Sequence, residues 1–288
     1  MFFQEITLID FLKHVTSNSL ITAIDAWYDT PFHLMGGEKR SMHVRDAIRQ
    51  YRENNEIAIV SHLKSVDVNP IAYSPAMREM TLSETKKSMD FASSIQASHV
   101  TVHGGFNSFG KKFSRLDGRL LEQFLVELLE YKNDQGYKYE ICLEHDSATK
   151  GCIRPCESYH FFSGLLEKVD GLNVTLDLAH VMKSSLVFEG SRYRDKRIDS
   201  SSFKEFISTW KKKIKVIHVS SPSEQCTHDR IDFSADHGFS TLIDTLVTTC
   251  EMDDIPIIFE YTMGATQVTQ EDLSNLEEDM AVVARIVS

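Results

Sequence analysis

NVTLDLAHVM, residues 173–182, places a charged Asp177 and a His180 directly after an apolar run. Val174, Leu176 and Leu178 are β-friendly. A short run of this kind reads as a strand covered on its faces, with the polar pair falling where the chain leaves the sheet. One such pair decides little, so the fold rests on whether other strands end the same way.

Working outward, short apolar runs recur at 21–27, 57–63, 100–103, 139–144, 174–177, 216–219 and 255–260, and most are separated by segments with helical spacing. Leu116, Leu120, Leu121, Phe124, Leu125, Leu128 and Leu129 form one helical face. Thr81 and Glu84 have the spacing of a capping box opening a helix that runs to Ala97, and Pro155 sits where another helix could begin. Further helices are expected over Phe203–Trp210, Leu242–Cys250 and Gln270–Val287, and Phe2–Ile6 is a candidate additional first strand. Alternating β and α over the whole length implies a parallel sheet with helical crossovers. Seven or eight units predict a single-domain (β/α)8 TIM barrel over residues 1–288, with an open doubly wound sheet as the alternative. No G-x-G-x-x-G follows the first strand, and there is no Walker loop, internal repeat or interdomain linker.

Composition agrees with a globular protein: 42% of residues are apolar and 25% charged. No apolar stretch approaches the ~20 residues of a transmembrane helix. The start, MFFQEITLIDFLKHV, carries Glu5 and Asp10 within its apolar pattern, against a signal peptide. Five cysteines, an odd number, fit a reducing compartment, so the expected location is cytoplasmic. A net charge of −11 disfavours nonspecific adhesion to nucleic acid or anionic membrane but leaves a local cleft undetermined.

In a parallel barrel, residues at the C-terminal strand ends converge on one mouth. Those ends deliver His62 in IVSHLK, His103 in VTVHGG, Glu144 in CLEHD, Asp177 and His180 in LDLAH, His218 in VIHVSS, and Glu260 in IIFEY. Any one of these residues has an ordinary structural explanation. Gathered together they are costly to bury unless a cation compensates, and a divalent metal does so directly. Mixed carboxylate and imidazole donors suit Zn2+ or Mn2+ first, with Mg2+, Fe2+ or Co2+ as further candidates, one or two per chain.

These residues carry a resemblance. The chain from about Ile57 to Glu260, most specifically in "SHLKSVDVNP", "VTVHGG", "LEHDSATKGC", "LDLAH" and "FEY", resembles the xylose-isomerase-like TIM-barrel superfamily, which includes sugar isomerases and epimerases and the apurinic-site endonucleases of the endonuclease IV type. In the isomerase branch the resemblance implies a metal held by Glu144, Asp177, His218 and Glu260. The two glutamates then exchange a substrate proton through an enediolate while His180 contacts substrate oxygens. In the endonuclease branch it implies that His62, His103 and Glu144 hold a further metal, with Glu144 bridging. The third site of that branch, which needs an Asp-x-His element downstream, is not reproduced in HDRIDFSADHG: Asp229 is followed two places on by Ile231, and Asp232 by Ser234. His145 stands where relatives usually carry Asn.

Basic residues follow several strand ends: Lys64, Lys111, Lys112, Arg115, Lys150, Arg154 and the group Arg192, Arg194, Lys196 and Arg197. Those that face the mouth would attract an anionic substrate, such as a phosphorylated sugar or a phosphodiester. His145, His237, Arg192 and Arg194 join His180 as candidate substrate contacts, and Trp27 and Tyr28 could wall a sugar ring. The leading expectation is a metal-dependent isomerase or epimerase of a small anionic sugar. The alternative is a multi-metal phosphodiester hydrolase whose partner is nucleic acid. A membrane partner is not expected, and homo-oligomerisation is compatible with the sequence.

Overall fold

The computed structural model describes residues 22–29, 37–55, 57–107, 114–147, 153–182, 200–221, 230–231, 239–250, 252, 254–260 and 270–287. Within them the strands are β1 (Ala23–Asp25), β2 (Ala58–His62), β3 (His99–Val102), β4 (Glu140–Glu144), β5 (Leu172–Asp177), β6 (Ile214–Val219) and β7 (Ile257–Phe259). The helices are α1 (Gly37–Asn55), α2 (Pro75–Ser94), α3 (Arg115–Gln135), α4 (Tyr159–Lys168), α5 (Ser200–Trp210), α6 (Phe239–Thr249) and α7 (Gln270–Val287). The strands form a 7-stranded sheet in sequential order, β1 to β7, and each neighbouring pair is parallel. This order, with a helix in most crossovers, makes a nearly closed α/β barrel rather than a doubly wound sheet, whose strand order would reverse. Among the described residues no ladder joins β1 to β7, although the two strands lie side by side. The candidate strand Phe2–Ile6 lies outside the described residues.

Val60, Cys142, Val216 and Ile258 form a small cluster of buried residues contributed by alternate and neighbouring strands, as side-chain layers inside such a barrel require. The larger core lies between sheet and helices. It includes Ile59, Val100, Ile141, Leu143, Val174 and Leu176 from the strands, and Met89, Leu121, Leu125, Leu128 and Phe162 from the helices. Fully buried strands explain why these segments read as continuous apolar runs.

Two helix boundaries differ from expectation. α2 begins at Pro75, with Ser74 as its extended N-cap, so Thr81 and Glu84 lie inside the helix. Thr81 is buried, and its hydroxyl accepts the backbone N–H of Asn69 at 2.9 Å, which ties the loop after β2 to the helix. Pro155 opens a 3-10 turn over Pro155–Glu157, and α4 follows with Ser158 as N-cap. On α3, Leu116 is exposed and Asp117 takes the buried place, because Ser114 and Asp117 form the capping box that starts the helix.

The loop after β3 depends on two glycines. A Cβ on Gly104 would lie 2.5 Å from the Cys156 sulfur, and one on Gly105 would lie 2.5 Å from Asn69 Oδ1, with φ at +75° in addition. Only glycine allows both approaches. They seat the loops after β2, β3 and β4 against one another at the mouth.

Candidate metal centre

Each strand places its terminal polar residue by the alternation of its own backbone. His62, Glu144 and Asp177 are the last residues of β2, β4 and β5, His218 is the penultimate residue of β6, and Glu260 directly follows β7. All five side chains are buried. Glu144, Asp177, His218 and Glu260 each offer a ligand atom, and these atoms all lie within 4.8 Å of one another. A second set, His62, His103 and Glu144, meets the same test.

Glu144 stands between the two sets. Its Oε2 lies 3.3 Å from His62 Nε2 and 3.2 Å from His103 Nε2, while its Oε1 lies 3.5 Å from His218 Nδ1 and 3.5 Å from His180 Nδ1. Burial alone would raise its carboxyl, but the imidazoles of His103, His218 and His62 draw it well below the usual carboxylate range. Asp177 goes the other way, pushed up to about 7 by burial and by the neighbouring Glu260 and Glu144 carboxylates. Desolvation would lower His218, yet Glu260, 3.1 Å from its Nδ1, and Glu144 hold it well above the ordinary imidazole value.

Glu144 Oε1, Asp177 Oδ2 and both ring nitrogens of His218 are buried without a hydrogen-bond partner among the described residues. His218 Nδ1 lies close enough to Glu260 for a hydrogen bond, but the two groups are not aligned for one. Polar atoms this deep are ordinarily satisfied. Converging donors of this kind fit a shared divalent cation, and the set is of oxygen and nitrogen rather than the sulfur of a structural cysteine site.

The surrounding shell is ordered. The His180 backbone N–H donates to Asp177 Oδ1 at 2.8 Å, and the His180 ring donates from Nδ1 to the His145 carbonyl at 2.7 Å. The second bond makes Nδ1 a donor and fixes the orientation of the ring. Asp146 is held low, against burial, by His103 and by Arg154, whose Nη1 lies 3.1 Å from Oδ1. His62 Nδ1 meets Asp25 Oδ2 at 2.7 Å.

A cavity of about 370 Å3 opens onto this cluster. His103, Glu144, His180 and Glu260 line its polar end, Trp27, Val68, Pro70, Val102, Phe106 and Phe124 its apolar wall, and Lys64 and Arg154 supply cations. Both cations are engaged by carboxylates, Lys64 by Asp29 at 2.5 Å and Arg154 by Asp146.

The structure therefore brings together His62, His103, Glu144, Asp177, His180, His218 and Glu260. His145 is placed elsewhere. Its ring is fully buried, stacked on Tyr159 with centroids 4.7 Å apart and edge-on to Phe162, and it does not line the cavity. Burial and the neighbouring His180 push it down to about 3, and its backbone carbonyl accepts from the His180 ring. His237, Arg192 and Arg194 lie outside the described residues, as do Lys111, Lys112 and Lys150. Sequence patterning alone missed Asp25 and Asp29. Asp25 ends β1, and the same strand-end rule finds it once that strand is stopped at Asp25 rather than at Trp27.

The sequence model of the family described as "Xylose isomerase-like TIM barrel" matches residues 21–284. A search of curated proteins finds no match. Among solved structures, the chain is similar to a D-tagatose 3-epimerase-like protein, with 16% identity over 93% of this chain and 91% of that one at a TM-score of 0.68. It is similar to the D-psicose 3-epimerase of Clostridium cellulolyticum H10, with 10% identity over 100% and 95% at a TM-score of 0.71. It is similar also to the 3-keto-D-glucoside 4-epimerase of E. coli, with 8% identity over 84% and 85% at a TM-score of 0.61. Likeness at these identities establishes a shared fold.

Proposed function

The chain belongs to the xylose isomerase-like TIM-barrel family, and on that footing we propose that it is a divalent-metal-dependent isomerase or epimerase of a small anionic sugar. The observation that carries this reading is the convergence of Glu144, Asp177, His218 and Glu260, with ligand atoms within 4.8 Å of one another, beside the cavity that Glu144 and Glu260 line. The sugar epimerases among its structural neighbours support the substrate class.

A divalent ion held by these four residues would polarise a carbonyl and its adjacent hydroxyl and so acidify the C–H between them. Glu144 and Glu260 come from β4 and the end of β7, and both line the cavity. One carboxylate takes the proton from carbon and the other returns one to the opposite face, by general acid–base catalysis. His180, anchored at Nδ1, presents Nε2 to a substrate oxygen. Trp27 and Phe106 on the apolar wall exclude water from the reacting carbon, and Lys64 and Arg154, which line the cavity while paired with Asp29 and Asp146, would favour an anionic substituent such as a phosphate.

The His62, His103 and Glu144 set favours a second reading. Two further donors, His62 and His103, beside the first four would let Glu144 serve a second cation as well, as a phosphodiester hydrolase of the endonuclease IV type would use. Metal analysis together with two assays separates the readings. The isomerase takes about one equivalent of a divalent ion and exchanges substrate C–H for deuterium when ketose phosphates are incubated in D2O. The hydrolase takes two or more and cleaves duplex DNA containing an abasic site. Metal-loaded protein that does neither defeats both.

A further inference from the structure

We propose that Asp25 is a positioning residue that acts through His62 on the grip of Glu144 on its cation, and that Trp27 holds Asp25 in place for that task. The inference rests on the metal-centre reading given above and extends it to β1, a strand that supplies no member of the four-residue set.

Asp25 binds His62 at two points. Its Oδ2 meets His62 Nδ1 at 2.7 Å and its Oδ1 accepts the His62 backbone N–H at 3.1 Å. The Trp27 indole N–H donates to the same Oδ2 at 3.0 Å, and its ring lies stacked on the His62 ring with centroids 4.0 Å apart and planes 26° apart. The imidazole is thus held at Nδ1 and across one face, and His103 and His218 crowd it with centroids at 5.4 and 5.0 Å. Both ring nitrogens face carboxylate oxygens, which only accept, so the ring donates from Nδ1 to Asp25 and from Nε2 to Glu144 Oε2 at 3.3 Å. With Oε2 approached by His62 and His103, the remaining oxygen, Oε1, lies 3.5 Å from His218 Nδ1, on the side of the four-residue set. Freeing the His62 ring would release the carboxylate that joins the two donor sets. The arrangement has the form of a carboxylate–histidine pair orienting a metal ligand, and loss of such partners typically weakens metal binding about 10- to 100-fold.

The test is Zn2+ affinity, measured by competition with a chromophoric chelator on the full chain for wild type, Asp25→Asn, Trp27→Phe, His62→Ala and the Asp25→Asn/His62→Ala double variant. Asn at 25 keeps an acceptor for the His62 backbone N–H, and Phe at 27 keeps the stack while removing the indole donor. The expected result is a roughly 10- to 100-fold loss for Asp25→Asn and a smaller loss for Trp27→Phe. In the His62→Ala background, Asp25→Asn should change affinity by less than about 2-fold, because the residue it acts through is gone. A purely structural Asp25 would cost the same in both backgrounds, and that result overturns the proposal, as does wild-type affinity in both single variants. If Asp25→Asn does not fold, Trp27→Phe with and without His62→Ala decides between the same two outcomes. Wild-type protein that binds no zinc refutes the metal centre itself, whereas zinc-binding wild type with unaltered variants refutes only the role of Asp25.

Discussion

Replacing Asp177 by Asn should stabilise the metal-free protein at pH 8 and destabilise the metal-loaded one. Asp177 is fully buried between Glu144 and Glu260, and its carboxyl is pushed up to about 7 from 3.8. Below the unfolded value both states are protonated and the group contributes nothing. Between the two values the folded chain keeps a proton that the unfolded chain has lost, so stability falls as pH rises, and above about 7 the whole penalty applies. At ~1.4 kcal/mol per pH unit the interval sets an upper limit of roughly 4 kcal/mol. The His180 and His218 charges offset part of this penalty, so about 2 kcal/mol is the working figure, or ~4–8 °C in melting temperature for a chain of this size. Asn preserves the acceptor for the His180 backbone N–H, so the comparison isolates the charge. Thermal melts by circular dichroism in EDTA should therefore show the variant above wild type at pH 8 and level with it near pH 4. With Zn2+ at ~100 times its dissociation constant, wild type should gain about 2.7 kcal/mol and the order should reverse. A variant that melts below wild type in EDTA at pH 8, or by the same margin at both pH values, refutes the account of Asp177 as an uncompensated buried carboxylate.

Glu260→Gln should lower turnover about 10^2- to 10^4-fold and abolish solvent deuterium incorporation while the protein stays folded; undiminished exchange, read by mass spectrometry, removes Glu260 from proton transfer. Lys64→Met should raise KM for a phosphorylated sugar by ~10-fold or more and leave KM for the neutral sugar alone, since Asp29 keeps its bonds from Ser65 and Val66. Equal effects on both substrates would place Lys64 in the scaffold. Gly105→Ala sets a Cβ 2.5 Å from Asn69 Oδ1 and 2.7 Å from Pro70 at φ +75°, which should cost about 2–4 kcal/mol and depress the melting temperature accordingly. An unchanged melt would mean that the mouth loops yield more readily than their packing implies.

The barrel was legible because each strand is covered on both faces and so reads as an unbroken apolar run, and because Glu144, Asp177, His218 and Glu260 interrupt those runs at the end that faces the mouth. Leu121, Phe124, Leu125 and Leu128 likewise lie on the buried face of α3 that their spacing foretold. What escaped sequence patterning was set by contacts distant along the chain. Thr81 looked like a cap and became a buried acceptor for Asn69, because Ser74–Pro75 had already started the helix. Leu116 yielded its place to Asp117, whose carboxylate is held by Ser114 and Asn107. His145 carries the same chemical signature as the cavity-lining histidines, and only its packing, stacked on Tyr159 and edge-on to Phe162, distinguishes it. Asp25 was hidden because Ala26 and Trp27 continue the apolar run past the true end of β1.

The gap between β1 and β7 has a mechanical consequence. These two strands adjoin without a backbone ladder among the described residues, so their closure depends on side chains. Glu260 follows β7, His218 belongs to β6, and His62 is joined to β1 by Asp25, so the donor residues straddle that seam. A cation shared by Glu144 and Glu260 would extend a chain of contacts from the end of β7 through Glu144 and His62 to Asp25 on β1, and so fasten the seam that the backbone leaves open.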